Sequence, residues 1–146
     1  MSEKLIRLAL AVSHSGHFEL NHFGDADKYS IYEWANGRFV FLQEEINKYK
    51  DFDEEQEHGS QKKGLVIIDF LRSLNVNILV SKQFGRNIQI VNHHFIPVII
   101  SEDTQEQVIE ILSKHMKWIE DELRHKPEEF KLFTIKKGIL KTIIKK

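Results

Sequence analysis

Cysteine is absent from this chain of 146 residues. Its absence excludes disulfides, a thiolate nucleophile and any iron–sulfur cluster held by the chain's own thiolates. A bound metal cluster would therefore need nitrogen or oxygen ligands, or backbone amides. The eight histidines are the borderline ligands that the sequence offers for this purpose.

A strong net charge and long apolar runs are also missing. The formal net charge is -1 at pH 7, which gives no general reason to expect nucleic acid as a partner. No apolar run approaches the length that spans a bilayer, and Met1–Lys4 lacks the apolar core of a signal peptide. We therefore expect a cytoplasmic protein of ordinary globular composition, with no membrane partner and a chain long enough to bury a core.

The apolar runs that are present predict strands. Leu5–Val12 is apolar at nearly every position, which indicates a central strand covered on both faces. Asn36-Gly37 separates the β-rich runs Tyr29–Trp34 and Phe39–Glu45. Both positions of such a turn require positive φ, so the pair predicts an antiparallel hairpin.

Two further strands are predicted at Val76–Val80 and Phe95–Ile100. Pro97 cannot donate a hydrogen bond to a neighbouring strand, so it predicts that the fifth strand lies at a sheet edge. Gly64–Leu74 fits a helix, although its β-branched residues leave a strand open. A helix is favoured because a parallel strand at Val76–Val80 needs a crossover before it.

Two more helices complete the predicted order. Asn87–Asn92 fits a short helix, with a strand as the open alternative. Asp103 or Thr104 caps the third helix, because a Glu or Gln stands three residues after each, and Pro127 ends it. The predicted order is β-β-β-α-β-α-β-α, with the first and fourth strands adjacent and parallel.

The C-terminal residues 127–146 are rich in lysine. A hairpin and a helix both fit their apolar spacing, and the choice stays open. We expect a domain over residues 1–126, followed by this basic extension.

The residues that could bind a ligand or a metal cluster after two predicted strands. The loop after the first strand carries Ser13, His14 and His17, and His22-Phe23-Gly24 follows it. Ligands favour the crevice at the carboxyl ends of parallel strands, where this loop should meet the loop Gln83–Arg86. There Gly85 permits a close approach of the backbone, and Lys82 and Arg86 add positive charge.

The ordered set of elements resembles the dinitrogenase iron–molybdenum cofactor biosynthesis family. It comprises an apolar first strand, a loop containing serine and glycine, His22-Phe23-Gly24 and a second strand carrying aromatic residues. Phe84-Gly85 also matches the glycine-containing loop that is usual after the fourth strand. The resemblance implies an α/β protein whose five-stranded mixed sheet has the ribonuclease-H-like fold, with the fifth strand at the edge.

The resemblance also implies a function: a non-catalytic binding or carrier protein for an iron–molybdenum-type or related metal–sulfur cofactor. A cofactor donor or acceptor protein is then an expected partner. His22 matches the motif histidine and is the expected ligand, and the alternative that it only holds its own turn stays open. The candidate cofactor-binding residues are His22, Ser13, His14, His17, Phe84, Gly85 and Arg86, and the candidate metal ligands among them are His22, His14 and His17.

The sequence leaves two alternatives open, an interaction module and a metal enzyme whose only metal ligands are histidines, and it disfavours a nuclease. A regulatory or interaction module could use the basic extension to contact a partner protein or nucleic acid. A nuclease would need carboxylates around two metal ions, the first of them on strand one. Leu5–Val12 contains no acidic residue, so a nuclease is disfavoured.

Overall fold

The computed structural model describes residues 5–50, 59–85, 88–101, 104–125, 127–136 and 139–143. Within these residues, seven strands form one mixed sheet with four α-helices and a short 3₁₀ turn at Phe23–Asp25. The strands are β1 (Arg7–Val12), β2 (Lys28–Ala35), β3 (Arg38–Ile46), β4 (Ile78–Ser81), β5 (Ile96–Ile100), β6 (Leu132–Lys136) and β7 (Ile139–Ile143). The helices are α1 (Gly59–Ser73), α2 (Ile88–Val91), α3 (Gln105–Lys114) and α4 (Met116–His125).

The described strands lie in the order β3-β2-β1-β4-β5-β6-β7. β1 pairs antiparallel with β2 and parallel with β4, so its predicted central position beside the fourth strand is confirmed. Every residue from Leu8 to Val12 is fully buried. This burial explains the nearly continuous apolar sequence of β1, because both of its faces are covered.

The two faces of β1 carry side chains of different size. Leu8 and Leu10 face a core cluster that includes residues of α3 and α4, whereas Ala9 and Ala11 face a cluster that includes residues of α1. Successive side chains of a strand point to opposite faces. The alternation along β1 therefore assigns one helical layer to each face of the sheet.

The hairpin between β2 and β3 is confirmed. Asn36 and Gly37 have φ of 55° and 81°, and the two strands pair antiparallel around them. The register shifts between Ile31 and Tyr32, which marks a β-bulge in the middle of the pair.

The prediction of a five-stranded sheet was wrong. Within the described residues the tail forms the hairpin β6–β7, and β6 pairs parallel with β5. Phe133, Ile135 and Leu140 are buried in the same core cluster as Leu10. The tail thus extends the sheet because its apolar residues complete a face that β5 would otherwise leave open.

The edge position predicted for the fifth strand was also wrong, because β5 lies between β4 and β6. Pro97 pairs in register with Leu79 of β4, but β6 pairs only with Val98–Ile100. The proline therefore lies just outside the second ladder. A missing N–H is tolerated there without placing the whole strand at an edge.

The helix predicted after residue 103 is two helices. Thr104 caps α3 in a capping box: its hydroxyl accepts from the N–H of Gln107 at 3.2 Å, and the Gln107 side chain accepts from the N–H of Thr104 at 2.7 Å. Asp103, the other predicted cap, lies outside the described residues. α3 ends at Lys114, and its C-cap His115 donates its N–H to the carbonyl of Leu112. α4 begins at Met116, the residue after this cap. Among the described helices, none is long and apolar enough to cross a membrane.

Candidate functional site

The loop after β1 folds into a tight turn. The N–H of Ser13 donates to the carbonyl of His17 at 2.7 Å, and the N–H of Gly16 donates to the carbonyl of Ser13 at 2.9 Å. The hydroxyls of Ser13 and Ser15 lie 2.9 Å apart. Beyond the turn, Phe18 bridges back to Val12 and is buried in the core. The loop is therefore continuous with β1 rather than detached from it.

A cleft of about 1000 Å³ opens beside this turn. Ser13 and Lys82, which directly follow β1 and β4, both line it, so it lies at the carboxyl ends of two parallel strands. Gln83, Phe84 and Gly85, which were expected at this crevice, do not line it. The rest of the lining comes from the segment that follows the turn, from β2 and from the start of α3. The lining residues are Ser13, Ser15, Gly16, His17, Phe18, Glu19, Leu20, Asn21, Tyr32, Lys82, Thr104, Gln105 and Glu106.

Two of the predicted histidines lie on this loop in different surroundings. His17 is exposed and lines the cleft. His14 is 72% exposed, and its Nε2 lies 3.9 Å from Oδ1 of Asp27. The backbone N–H of His14 also donates to Asp27 at 2.9 Å. His14 therefore helps to anchor the loop to Asp27 instead of lining the cleft.

Asp27 is the carboxylate that anchors this loop. Its carboxylate accepts from the Lys50 ammonium as well as from His14. The hydrogen bond from Lys50, followed by the one from the backbone of His14, holds the pKa of Asp27 below its usual value. Asp27 therefore stays ionised at neutral pH, and it ties the loop to the segment after β3.

His22 caps the 3₁₀ turn Phe23–Asp25. Its Nδ1 accepts from the N–H of Gly24 at 3.2 Å, and its Nε2 lies 3.3 Å from Oδ2 of Asp25, with 28% of the side chain exposed. A neutral imidazole carries one proton. With Nδ1 accepting, that proton must lie on Nε2, facing the carboxylate.

This arrangement constrains His22 as a metal ligand. A metal on Nε2 would shift the proton to Nδ1, where it would oppose the N–H of Gly24. Coordination by Nε2 and the capping hydrogen bond therefore exclude each other in a neutral ring. His22 can bind a metal only if the turn rearranges.

Asp25 connects this turn to α1. Its Oδ1 accepts from Nζ of Lys63 at 2.9 Å, and the Lys63 side chain is only 3% exposed. A charge this deeply buried requires a close counter-ion. Asp25 supplies that counter-ion while it also faces His22.

The rest of the His-Phe-Gly motif is packed into the core. Phe23 is fully buried, its ring lies 5.6 Å from that of Phe84, and its carbonyl accepts from the hydroxyl of Tyr29 at 2.8 Å. Burial strongly raises the pKa of Tyr29, so this hydroxyl remains a donor. A Cβ on Gly24 would approach the His22 ring to 3.1 Å, so the capping ring fits best over glycine.

The predicted site residues therefore fall into separate groups. Ser13 and His17 line the cleft. Phe84 is core packing rather than an accessible contact, and Gly85 lies beside His22. Arg86 lies outside the described residues. Across the part of the chain that is described, no three His, Asp or Glu side chains are placed to hold a metal ion together.

The sequence assigned no role to two glutamines that contact the cleft loop, although the loop that begins at Gln83 was expected to lie near it. Gln105 donates to the carbonyl of Gly16 at 2.6 Å, and Gln83 donates to the carbonyl of Leu20 at 3.0 Å. No sequence pattern marks a glutamine for such a role. Only the predicted start of α3 could have placed Gln105 near the strand ends.

Fold and site together define an α/β protein with a ligand-sized cleft at the carboxyl ends of parallel strands. Within that class, the chain belongs to the family described as dinitrogenase iron-molybdenum cofactor, whose sequence pattern matches residues 4–117. The match covers β1 through α3 and ends inside α4, so β6 and β7 lie beyond it. No curated protein matches the chain.

Proposed function

We propose that the chain is a non-catalytic binding or carrier protein for an iron–molybdenum-type or related metal–sulfur cofactor. The observation that carries the proposal is the cleft of about 1000 Å³ beside the loop after β1, within residues that match the cofactor family. The order β3-β2-β1-β4-β5 and its strand directions support the ribonuclease-H-like fold that the resemblance implies.

The cleft offers an imidazole and several hydrogen-bond donors to a metal–sulfur cargo, although Glu19 and Glu106 also line it. His17 offers an exposed imidazole, and imidazole binds iron and related metals. The hydroxyls of Ser13 and Ser15 can donate hydrogen bonds to sulfide or oxygen. Lys82 brings a positive charge to the same wall. These groups hold a cargo without the cysteines that the chain lacks.

His22 is a second proposed ligand, and it would act at a later stage. It follows directly after Asn21, which lines the cleft. Because its ring caps the turn, it would engage a metal only after giving up the hydrogen bond from Gly24. We therefore propose that His17 makes the first contact, and that His22 binds only with a rearranged turn.

The role is proposed as binding and delivery rather than catalysis. β1 carries no carboxylate, which argues against the two-metal chemistry of a nuclease. A cofactor donor or acceptor protein would be the partner in delivery. Among the described tail residues, no contact favours the alternative of a module that binds partners through its basic extension.

The proposal is tested by loading. The untagged chain is purified under anaerobic conditions, and its iron, molybdenum and sulfide contents are measured before and after incubation with isolated iron–molybdenum cofactor. We expect retention of the cofactor through gel filtration in a fixed ratio to protein. Passage of the cofactor entirely in the small-molecule fraction would contradict a carrier role.

Two single substitutions locate the binding. His17→Ala removes the exposed imidazole of the cleft and should lower retention of the cofactor. His125→Ala, the matched control, removes an exposed imidazole on α4 that does not line this cleft. Equal loss in both variants would show that the cofactor binds histidines non-specifically.

A further inference from the structure

We infer that Gln83 and Gln105 are positioning residues that clamp the cleft-lining segment Gly16–Leu20 at its two ends and so present His17 to the ligand. This inference rests on the proposed function of the cleft. The two glutamines come from different elements, the loop after β4 and the first turn of α3. They act on the ligand through the segment that carries His17.

The clamps are hydrogen bonds to main-chain carbonyls. Nε2 of Gln105 donates to the carbonyl of Gly16 at 2.6 Å, and Nε2 of Gln83 donates to the carbonyl of Leu20 at 3.0 Å. A carbonyl oxygen can only accept, so each amide must present its NH₂ group to the segment. A carboxylate at either position would face the carbonyl with no proton to donate.

Each clamp is itself held in place. Gln105 begins α3 directly after Thr104, whose capping box fixes the first turn. The carbonyl of Gln83 accepts from the N–H of Phe23 at 3.1 Å and from the Ser81 hydroxyl at 3.0 Å. The clamps thus connect the segment to the sheet and to a capped helix.

Contacts with the core, with β1 and with the turn also hold the segment in place. Phe18 is buried, and the N–H of Glu19 donates to the carbonyl of Ala11 at 3.0 Å. The carbonyl of His17 accepts from Ser13 at 2.7 Å. With the backbone of the segment held in this way, the exposed His17 side chain is what the segment offers to the cleft. Such preorganisation lowers the ordering cost of binding.

The test exchanges each amide for the isosteric carboxylate, in Gln105→Glu and in Gln83→Glu. Gln89→Glu is the matched control, because it makes the same change at an exposed position of α2. Amide hydrogen exchange is measured on the chain without ligand. The amides of Gly16 and Glu19 should exchange about fivefold faster or more in each clamp variant, as expected for the loss of one hydrogen bond.

A purely structural role would speed exchange in β1 to the same extent, whereas a clamp should leave the amides of β1 unchanged. Gln105→Lys restores a donor and should recover slow exchange. Unchanged exchange of Gly16 and Glu19 in both clamp variants would overturn the inference. So would loss of protection spread equally through the sheet.

Binding of isolated iron–molybdenum cofactor then connects the clamp to His17. Gln83→Glu should weaken binding, and adding it to His17→Ala should weaken binding no further, because Gln83 does not line the cleft and acts through the segment that carries His17. Full additivity of the two losses would contradict that connection. If the parent chain binds no cofactor, the proposed function fails, while hydrogen exchange still decides whether the segment is clamped.

Discussion

His17 and His22 are separated by only four residues, yet their surroundings differ sharply. His17 is exposed at the wall of a large cleft, on a segment held by its backbone. His22 belongs to the motif that carries the family resemblance, but its ring caps a turn and faces Asp25. His22 therefore has a defined structural role in the fold, whereas the His17 side chain is exposed. Under the proposed function, the motif marks a residue that builds the site, and His17 makes the first contact with the ligand.

The largest expected effect on stability concerns the turn that His22 caps. Phe23→Ala removes a fully buried ring beneath the turn and should lower the free energy of unfolding by about 3–5 kcal/mol. Urea unfolding measures the change. Phe41→Ala, at a ring that is 50% exposed, is the control and should cost far less. A small loss in Phe23→Ala would mean that the turn is not anchored in the core.

A smaller effect separates the two roles of His22. His22→Ala removes the cap and should cost about 1 kcal/mol, whereas His22→Asn keeps a capping acceptor and should recover most of that stability. Thermal melting and cofactor retention are measured on both variants. Asparagine offers no imidazole, so His22→Asn should still lose any binding that depends on ligation. Full retention of cofactor by His22→Asn would leave His22 a structural role only.

Removing the carboxylate of Asp27, which anchors the loop that carries His17, should have a smaller and pH-dependent effect on stability. Its pKa is lowered in the folded chain, so its contribution is present above the unfolded value of about 3.9 and is lost as pH falls through the lower folded value. Asp27→Asn should cost less than about 1 kcal/mol at neutral pH, because the ion pair with Lys50 is partly exposed. The stability difference from the parent, measured by urea unfolding, should shrink from about pH 6 to about pH 3. A difference that grows toward low pH would contradict this assignment.

His17→Ala should show the smallest change in stability, within about 0.5 kcal/mol, because an exposed imidazole is lost. Its effect on cofactor binding should nevertheless be large. Thermal melting and cofactor titration measure both quantities. A folded His17→Ala variant that binds like the parent would move the first contact away from His17.

The sequence predicted the elements whose signals are local. The apolar run of β1, the Asn36-Gly37 turn and the capping residues of α3 each carry their signal within a few neighbouring residues. The break at His115 carries no glycine or proline, so nothing in the local sequence marks it. The tail was ambiguous because its apolar spacing fits two structures, and pairing with β5 decides between them.

The candidate site was predictable in location but not in detail. The strand-end rule brought Ser13 and His17 to one cleft, because it depends only on strand order and direction. The position of the His22 ring depends on Asp25, which in turn pairs with Lys63, a residue far along the chain in α1. The glutamine clamps depend likewise on contacts between distant segments. Such contacts arise from the folded geometry and leave no periodic pattern in the sequence.

The parallel pairing of β5 with β6 has a consequence for biosynthesis. β6 and β7 are translated after every other strand of the described sheet, yet Phe133 and Ile135 complete the core face next to Val98 and Ile100. A nascent chain that has just released β5 therefore exposes an apolar strand with an unpaired edge. Such an edge is a template for mispairing with other chains. Prompt arrival of the last hairpin, or a chaperone that shields β5 until then, would determine how much of the newly made protein escapes aggregation.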